Sequence, residues 1–361
     1  MHEQTFDARD LLISYVPPGT VGAYGYTYNG DGQIATTTTP TGLVTFGYHA
    51  TTGLLATMNG DSSTTFTHDA AGRRRTATRG NGNVNEQVIR GYDGPLLTSE
   101  QHLGSITGTL SLGYNHRHLR TTLGIAGATA ALTYDDDDLV TSITGVGQSV
   151  VIERSVLNGR IEGVNVGPSV SEDRTFDPTF GELTSIATED ATGPLFNTSY
   201  TRDDLGRILT KTESVLSAAN VTTVYTYDQA GRLETEKIGA APTTTWLYDL
   251  NGTRQDAVVD GQDRVSSYLG SDYTYTYTNA GERRTKSDGP RTTTYDWDRL
   301  GNLLAVHRPL PATAIEYVYD GHDRRIGRKV GGILQQTWLY DGQLRIVAEF
   351  SALGGETKRF I

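Results

Sequence analysis

The residues of this sequence that could perform chemistry are few and scattered. Residues 135–138 (DDDD) would bind calcium only within a loop that supplies about six to eight oxygens, and the spacing of an EF-hand is absent. His116 and His118 are two apart and would share one face of a regular strand. Zinc needs three or four ligands, and no third ligand is evident. We therefore predict solvated turn carboxylates, ordinary histidines, and no metal or other cofactor.

Two further stretches could bind nucleic acid or phosphate. Arg73, Arg74 and Arg75 are the most basic point, and aromatic residues interleave with basic ones as in grooves for single strands. Each such arginine nevertheless lies beside a turn aspartate, and 31 Lys and Arg against 42 Asp and Glu give a net charge of −11. This charge argues against nucleic-acid partners. Residues 145–149 (GVGQS) contain suitable glycines, but no helix follows to bind an anion, so we predict a plain loop.

The sequence contains no recognisable catalytic or membrane motif. It has no cysteine and no G-x-S-x-G elbow, so neither a thiolate nor a serine nucleophile is indicated. No run reaches the roughly 18–20 apolar residues of a membrane span, and the N-terminus lacks the pattern of a conventional signal peptide. The sequons at Asn197, Asn220 and Asn251 are expected by chance in a threonine-rich chain. We predict that the chain is not an enzyme.

The stretch "VYTYDQAGRLETE" has the pattern of a β-hairpin. Tyr225 and Tyr227 share one face of a strand, which we expect to be buried. Asp228 suits the first position of a type I turn, where its carboxylate accepts from backbone N–H groups two residues on. Gly231 suits the left-handed residue that closes the loop, and Arg232 opens the return strand.

This hairpin pattern recurs along the chain with a period of about 21 residues. It reappears in "THDAAGRRRT", "TRDDLGRILT", "DWDRLGNLLA" and "VYDGHDRRIG", and a 42-residue gap has Gly159 and Arg160 where a further turn would fall. The residues before the turn position, here called the marker residues, are Tyr28, Tyr48, His68, Tyr92, Tyr114, Tyr134, Phe176, Arg202, Tyr227, Tyr248, Tyr277, Trp297, Tyr319 and Tyr340. Such a period accommodates two strands of about seven or eight residues and two short connections.

These repeats predict an all-β fold of tandem antiparallel hairpins. One hairpin is marginal in water, whereas side-by-side stacking adds cross-strand pairs of about 0.2–1 kcal/mol each. Helical patterns are limited to "DARDLLISY" and "TESVLSAAN", and both are weak. A β-propeller, with blades of roughly 40 residues, remains an alternative, but no 40-residue alternation exceeds the shorter period.

Several units carry the resemblance to a known family. "YTYDQAGRL", "WLYDLNGTR", "YVYDGHDRR", "WLYDGQLRI", "GYDGPLLTSE" and "YTRDDLGRI" resemble the YD repeats of bacterial Rhs (rearrangement hotspot) proteins, shared with the C component of insecticidal toxin complexes and with teneurins. The resemblance runs from about Tyr24 onward. It implies a strip of hairpins that spirals into a hollow β-shell, which encloses a C-terminal effector in toxin members and serves extracellular adhesion in teneurins.

The resemblance also implies what this chain lacks. The core segment with an aspartyl autoprotease that follows the repeats in toxin members has no counterpart here, and residues 176–183 (FDPTFGEL) read as another turn. We predict an irregular lead-in over residues 1–20 and a continuous YD-repeat array over 21–361, with the core and effector absent. No polar cap follows the last unit, so we expect that Ile361 is not the natural end of the working particle.

The resulting function hypothesis is a non-catalytic shell module of a secreted or cell-surface Rhs-type toxin that encapsulates an effector domain. The expected partners are that effector, within the same chain or associated, and a further shell component. The expected structural residues are Tyr225, Tyr227, Tyr248, Tyr319 and Tyr340 in the wall, Gly72, Gly206 and Gly231 in turns, Asp228, Asp249, Asp320 and Asp341 as turn caps, and Arg232. The alternative is an adhesion or carbohydrate-binding module that uses Trp246, Trp297 and Trp338.

Overall fold

The computed structural model describes residues 2–19, 22–80, 85–145 and 147–360. Within these ranges every helix or strand is a β-strand, and the strands form two antiparallel sheets of 23 and 11 strands. The predicted all-β chain of tandem hairpins is therefore confirmed. Val146 of the GVGQS stretch and Ile361 lie outside the described residues.

The strands follow one another along the chain with short connections. The first sheet contains β1 (Glu3–Phe6), β2 (Leu12–Val16), β3 (Tyr24–Tyr28), β4 (Ile34–Thr39), β5 (Gly42–Tyr48), β6 (Leu55–Asn59), β7 (Ser63–His68), β8 (Arg74–Gly80), β9 (Asn85–Asp93), β10 (Leu96–Leu103), β11 (Gly108–Tyr114), β12 (Arg120–Ile125), β13 (Ala128–Tyr134), β14 (Val140–Thr144), β15 (Val150–Arg154), β16 (Ile161–Val166), β17 (Val170–Phe176), β18 (Leu183–Asp190), β19 (Gly193–Arg202), β20 (Ile208–Val215), β21 (Val221–Tyr227), β22 (Leu233–Ile238) and β23 (Thr244–Thr245). The second contains β24 (Ala257–Val259), β25 (Val265–Tyr268), β26 (Thr274–Tyr277), β27 (Arg283–Ser287), β28 (Thr292–Trp297), β29 (Leu303–His307), β30 (Ala314–Tyr319), β31 (Arg325–Val330), β32 (Ile333–Asp341), β33 (Arg345–Ser351) and β34 (Glu356–Arg359).

One irregularity next to the turn recurs in hairpins of both sheets. In β21–β22, Thr226 pairs with Thr235, and the register then shifts so that Tyr227 pairs with Leu233. The same shift precedes the turn in β3–β4, β7–β8, β19–β20 and β30–β31. A bulge of this kind bends the strand and re-aims one side chain. It therefore fixes the direction of the aromatic residue before each turn.

The chain divides into two compact units. Unit 1 comprises Met1–Leu112 and Ala257–Ile361, and unit 2 comprises Gly113–Asp256. The core of unit 1 includes a cluster in which Ile106 from the first segment packs with Ile326 and Tyr340 from the second. In unit 2 the fully buried apolar residues include Leu123 and Ile125. The sequence analysis predicts one continuous array, and the division shows that distant repeats come together in unit 1.

The N-terminal segment is a hairpin and not an irregular lead-in. β1 pairs with β2, and the backbone N–H of Leu11 donates to the Asp7 carboxylate at 3.0 Å, as in the later turns. Phe6 stands where most units have tyrosine, so the tyrosine-based motif does not identify this hairpin. The weak helical pattern of "DARDLLISY" is overridden because Asp7 caps a turn and Leu12–Val16 is a strand.

Two other expectations from the sequence need correction. A hairpin that the repeat comparison did not find, β24–β25, has its turn at Asp260, where Val259 replaces the marker tyrosine and the spacing from Asp249 is about half a period. The second helical candidate, "TESVLSAAN", is the end of β20 and a tight connection. Leu216 and Ser217 adopt φ values of 50° and 60° there, which are incompatible with a right-handed helix.

Candidate functional site

The turn of the hairpin β21–β22 is held by its first aspartate. One carboxylate oxygen of Asp228 accepts hydrogen bonds from the backbone N–H groups of Ala230 and Arg232, both at 2.9 Å. Gly231 donates its N–H to the Asp228 carbonyl and has a φ of 79°. The hydrogen bond from the Arg232 backbone lowers the pKa of Asp228, against the opposing effect of desolvation. The turn thus satisfies its own backbone donors.

The arginine that closes this turn also contacts the next hairpin. Arg232 Nε lies 2.7 Å from the second carboxylate oxygen of Asp228. Its guanidinium carbon lies 4.6 Å from the centre of the Tyr248 ring, and its Nη1 donates to the Asp249 carbonyl at 3.2 Å. A guanidinium over an aromatic face is attracted by the ring quadrupole. One side chain therefore links two consecutive repeats.

This link recurs in both units. Turn arginines pair with their own aspartates in Arg73–Asp69, Arg207–Asp203, Arg264–Asp260 and Arg324–Asp320. They also lie over the next marker aromatic, at 4.4–5.4 Å, in Arg73–Tyr92, Arg160–Phe176, Arg207–Tyr227, Arg264–Tyr277 and Arg324–Tyr340. The repeat motif predicts these arginines as turn residues alone and does not predict their contact with the following repeat.

The marker tyrosines bind the preceding hairpin through their hydroxyl groups. The hydroxyl of Tyr227 donates to the Ile208 carbonyl at 2.8 Å, and Ile208 is the first residue after the preceding turn arginine. The equivalent bonds are Tyr28–Leu12, Tyr48–Ile34, Tyr92–Arg74, Tyr134–Arg120, Tyr248–Leu233, Tyr277–Val265, Tyr319–Leu303 and Tyr340–Arg325, at 2.5–3.0 Å. Adjacent repeats are therefore joined in both directions.

Three other residues at the marker position make the same kind of bond as tyrosine. Trp297 donates its Nε1–H to the Arg283 carbonyl at 2.8 Å, and Arg202 and Arg154 donate to the Leu183 and Val140 carbonyls. These side chains share length and a terminal N–H or O–H donor. Tyrosine is more frequent than phenylalanine at this position, and this preference already indicates a role for the hydroxyl group. The prediction that these tyrosines pack in the wall did not use it.

Removing the hydroxyl of Tyr227 should destabilise the array slightly. We expect Tyr227→Phe to lower the free energy of unfolding by about 1 kcal/mol, because the Ile208 carbonyl loses its donor while the ring stays in place. Denaturant unfolding of the two proteins measures the difference. Tyr225→Phe is the matched control, since Tyr225 lies on the same strand face without the marker hydrogen bond. An equal loss in both variants would contradict the assignment.

Gly231 cannot be replaced without strain. Its φ of 79° lies in the left-handed region, so Gly231→Val should destabilise the protein by about 1–3 kcal/mol. Thermal unfolding tests this expectation. Gly261, which has no positive φ and open space around its Cβ position, provides the control substitution. An unchanged melting temperature for Gly231→Val would contradict the turn geometry.

The remaining predicted structural residues occupy the same framework, with one exception. Gly72 and Gly206 both have a φ of 79°. Asp249 and Asp320 each accept two backbone N–H groups of their own turns at 2.9–3.0 Å. Asp341 differs in that it is the last residue of β32, pairs in the ladder with Arg345, and forms an ion pair with that arginine at 2.7 Å. Its function as a turn cap stays a prediction.

The candidate metal and anion sites from the sequence lie in turns. His116 and His118 are in the turn between β11 and β12 and do not share a strand face. His118 has a φ of 61°. Asp135 caps its own turn, and residues 136–138 are exposed. Among the residues that the structure describes, no group of three or more His, Cys, Asp or Glu could hold a metal ion, and no helix is long and apolar enough to cross a membrane.

A buried ionic cluster lies where the two segments of unit 1 meet. Arg324 Nη2 is 2.7 Å from Oε1 of Glu100, and their side chains are 0% and 1% exposed. Arg324 Nη2 also pairs with Oδ2 of Asp320 at 2.7 Å. Oε2 of Glu100 lies 2.8 Å from Nε of Arg90, and its Oε1 lies 3.0 Å from Nε2 of His102. The ordinary turn link of one repeat is here extended to a residue 224 positions away.

The cluster shifts the ionisation of its members. Burial alone would raise the pKa of Glu100, but the hydrogen bond with His102 and the positive charges of Arg324 and Arg90 lower it far below the usual range. Burial lowers the pKa of His322 to about 3, and the charges of Arg90 and Arg324 act in the same direction. His322 is therefore neutral in the folded protein at neutral pH.

A second long-range contact replaces a missing turn arginine. In the hairpin β28–β29 the turn residue equivalent to the arginine is Asn302, and Arg79 from β8 supplies the guanidinium. Arg79 Nη2 lies 2.7 Å from Oδ2 of Asp298, and its Nη1 lies 2.6 Å from Oδ1 of Asp323. Its guanidinium carbon lies 5.5 Å from the centre of the Tyr319 ring. Arg79 thus makes both contacts of a turn arginine, although it is 219 residues from Asp298. The local motif gave no indication of it.

The tryptophans of the alternative hypothesis have structural contacts. Trp338 packs against the cluster around Ile106 and donates Nε1–H to Glu349 at 3.3 Å. Trp297 makes the marker hydrogen bond described above. All three tryptophans, including Trp246, are half-buried.

Solved structures similar to this chain are assemblies of a toxin complex. The chain aligns with "TcdB2-TccC3 without hypervariable C-terminal region" at 12% identity and a TM-score of 0.54, covering 96% of this chain and 23% of that chain. It aligns with the Tc holotoxin pore of Photorhabdus luminescens (mutation TccC3-D651A) at 11% identity and a TM-score of 0.52, with the same coverage. It aligns with "TcdB2-TccC3-TEV" at 12% identity and a TM-score of 0.51, covering 99% of this chain and 24% of that chain. At these identities the similarity shows the fold alone, and the chain spans about a quarter of each matched structure.

No curated protein sequence matches the chain. The family model described as "Teneurin YD-shell" matches residues 1–360. That match extends over both units and includes the N-terminal hairpin β1–β2, which lies before the first repeat that the motif predicts. The chain therefore belongs to the teneurin YD-shell family.

Proposed function

We propose that this chain is a non-catalytic wall segment of a shell that encloses an effector domain of a secreted or cell-surface toxin. The observation that carries the proposal is the recurring set of Asp–Arg–aromatic links and marker hydrogen bonds, which commits the polar side chains of these turns to joining one hairpin to the next. A wall needs such repeated contacts between neighbours, because most contacts of a repeat are with the adjacent repeats. The family membership and the fold shared with TcdB2-TccC3 structures support the same function.

The distribution of acidic and basic side chains supports a structural rather than a catalytic role. In the described turns, the carboxylates of Asp69, Asp203, Asp228 and Asp260 are occupied by backbone N–H groups and by their own arginines. The buried cluster around Glu100 is closed by Arg324 and Arg90. These groups stabilise the array and are not presented to a substrate.

The proposal is tested on the protein encoded by the complete source gene. We expect coding sequence beyond residue 361 to specify a domain that resists trypsin in the native protein. That domain should become cleavable only at the denaturant concentration that unfolds the wall. The separately expressed domain is the control, and it should be cleaved at once. Immediate cleavage within the full protein, or a stop codon directly after residue 361, would contradict encapsulation of a C-terminal effector.

The alternative, an adhesion or carbohydrate-binding module, predicts a different result. Glycan-array binding by the chain should then be abolished by Trp246→Ala, whose indole has no described structural bond. Trp338→Ala is the control, because that indole packs within unit 1. Absence of glycan binding would favour the wall function.

A further inference from the structure

A row of exposed apolar side chains lies along one edge of unit 2. Val156, Leu157, Phe180, Leu205 and Leu250, here called the apolar ridge, are each at least 77% exposed. They lie in the turns that follow β15, β17, β19 and β23. Single exposed apolar residues are normal, but several aligned along one edge indicate an interaction surface.

The hairpin order places these turns side by side. The strands between them are paired without interruption from β15 to β23, so successive turns of this kind lie at the same edge of the sheet. Two strands separate neighbouring turns, which gives a spacing of about 10 Å. The five turns from residue 155 to residue 253 therefore form a ridge of roughly 40 Å, with the small Ala230 in the one turn that lacks a large apolar side chain.

The turns do not need these apolar residues for their own structure. The turn of β21–β22 has Gln229 and Ala230 at the equivalent places and keeps the same aspartate cap and glycine. In unit 1 the turn of β7–β8 has Ala70 and Ala71. Since the turn geometry tolerates small or polar residues, the apolar ridge requires another explanation.

The charge of unit 2 restricts the chemistry of a partner. Residues 113–256 contain 11 Lys and Arg against 20 Asp and Glu, a net charge of −9 out of −11 for the whole chain. On the turn edge, Asp136, Asp137 and Asp204 are exposed. Arg207 and Arg232 are paired with their own turn aspartates and so add little free positive charge. The turn edge of unit 2 is therefore both apolar and acidic.

We propose that the apolar ridge of unit 2 docks a cationic amphipathic helix. The spacing of the turns favours a helix, because apolar residues seven apart rise about 10.5 Å and so match the roughly 10 Å between turns. A helix of about four heptads would cover the ridge, with its apolar stripe on the turn tips and its lysines or arginines facing the acidic edge. This docking is independent of whether the shell encloses a cargo.

The test uses the full chain and a labelled peptide of four leucine and lysine heptads with its leucines on one face. A peptide of the same composition with its leucines scattered round the helix is the control probe. We expect the amphipathic peptide to bind, measured by fluorescence anisotropy, with an affinity that decreases as salt concentration rises. The scattered peptide should bind at least tenfold more weakly.

Two variants test whether the amphipathic peptide binds at the apolar ridge. Joint replacement of Leu157, Phe180, Leu205 and Leu250 by serine should weaken binding at least tenfold while the melting temperature is unchanged. Leu216→Ser is the matched control, because Leu216 is exposed in the connection of β20–β21 at the opposite edge. Equal binding by the ridge variant and the wild type, equal loss in the Leu216 variant, or no binding of the amphipathic peptide would overturn the proposal.

Discussion

Replacing Glu100 by alanine is expected to lower the free energy of unfolding by about 3–5 kcal/mol, a larger effect than any single turn substitution in the array. The side chain of Arg324 is 0% exposed and would lose its contact with Glu100, and the half-buried Arg90 would lose the same partner. Asp320 still pairs with Arg324, but two guanidinium groups then share too few acceptors in a buried site. Urea unfolding followed by circular dichroism measures the loss.

A surface ion pair supplies the comparison for this variant. Arg117 pairs with Asp138 in unit 2, and their side chains are 43% and 42% exposed, so Arg117→Ala should change stability by less than about 1 kcal/mol. If Glu100→Ala costs no more than Arg117→Ala, the cluster does not hold the two segments of unit 1 together.

The second large effect is a loss of stability in acid that depends on His322. Burial holds the pKa of His322 at about 3, below its usual value of 6.5, so between these pH values the unfolded chain binds a proton that the folded chain does not. Stability therefore rises with pH in this window, is fully present above about 6.5, and is lost as pH falls. Between pH 6.5 and 4 the loss amounts to about 3 kcal/mol from this one group.

A nonionisable ring at position 322 separates this effect from that of the carboxylates. We expect the unfolding free energy of His322→Phe to change far less between pH 6.5 and 4.5 than that of the wild type. Glu100, whose lowered pKa gives stability that is lost only below its usual range, contributes at lower pH. His116→Phe, at an exposed turn position, is the control for replacing a histidine by phenylalanine. Parallel profiles for the wild type and His322→Phe would contradict the assignment to His322.

The local geometry of the fold follows closely from the sequence. The spacing of Tyr227, Asp228 and Gly231 predicts a hairpin with a capped turn and a left-handed glycine, and the structure contains these contacts. The repeat period and the residue types are sufficient to predict these turns, because each of these contacts joins residues within five positions of each other along the chain. Where the marker changes, as at Phe6 and Val259, the same local method missed a real hairpin.

The long-range contacts could not be predicted in the same way. Asp320 has the same motif as Asp228, yet its turn is buried against Glu100 in unit 1, and Asp228 is not. Nothing in the local sequence specifies which distant strand meets a turn, because that depends on how the intervening repeats bend and twist. Arg79 gave no signal either, since its role depends on Asn302, which lacks the guanidinium that turns such as those of Asp228 and Asp320 supply for themselves.

The reciprocal bonds between neighbouring hairpins have a consequence for how such a chain can grow. In repeats such as β21–β22, the marker side chain donates to a backbone carbonyl of the preceding hairpin and the turn arginine contacts the marker ring of the next hairpin, as Tyr227 and Arg232 do between three consecutive repeats. An in-frame duplication of about 21 residues would therefore insert a new unit whose every bond is already complemented on both sides. Gene rearrangement can lengthen the array one hairpin at a time without any compensating mutation, except at positions such as Glu100 and Arg79, where the register between distant repeats is fixed.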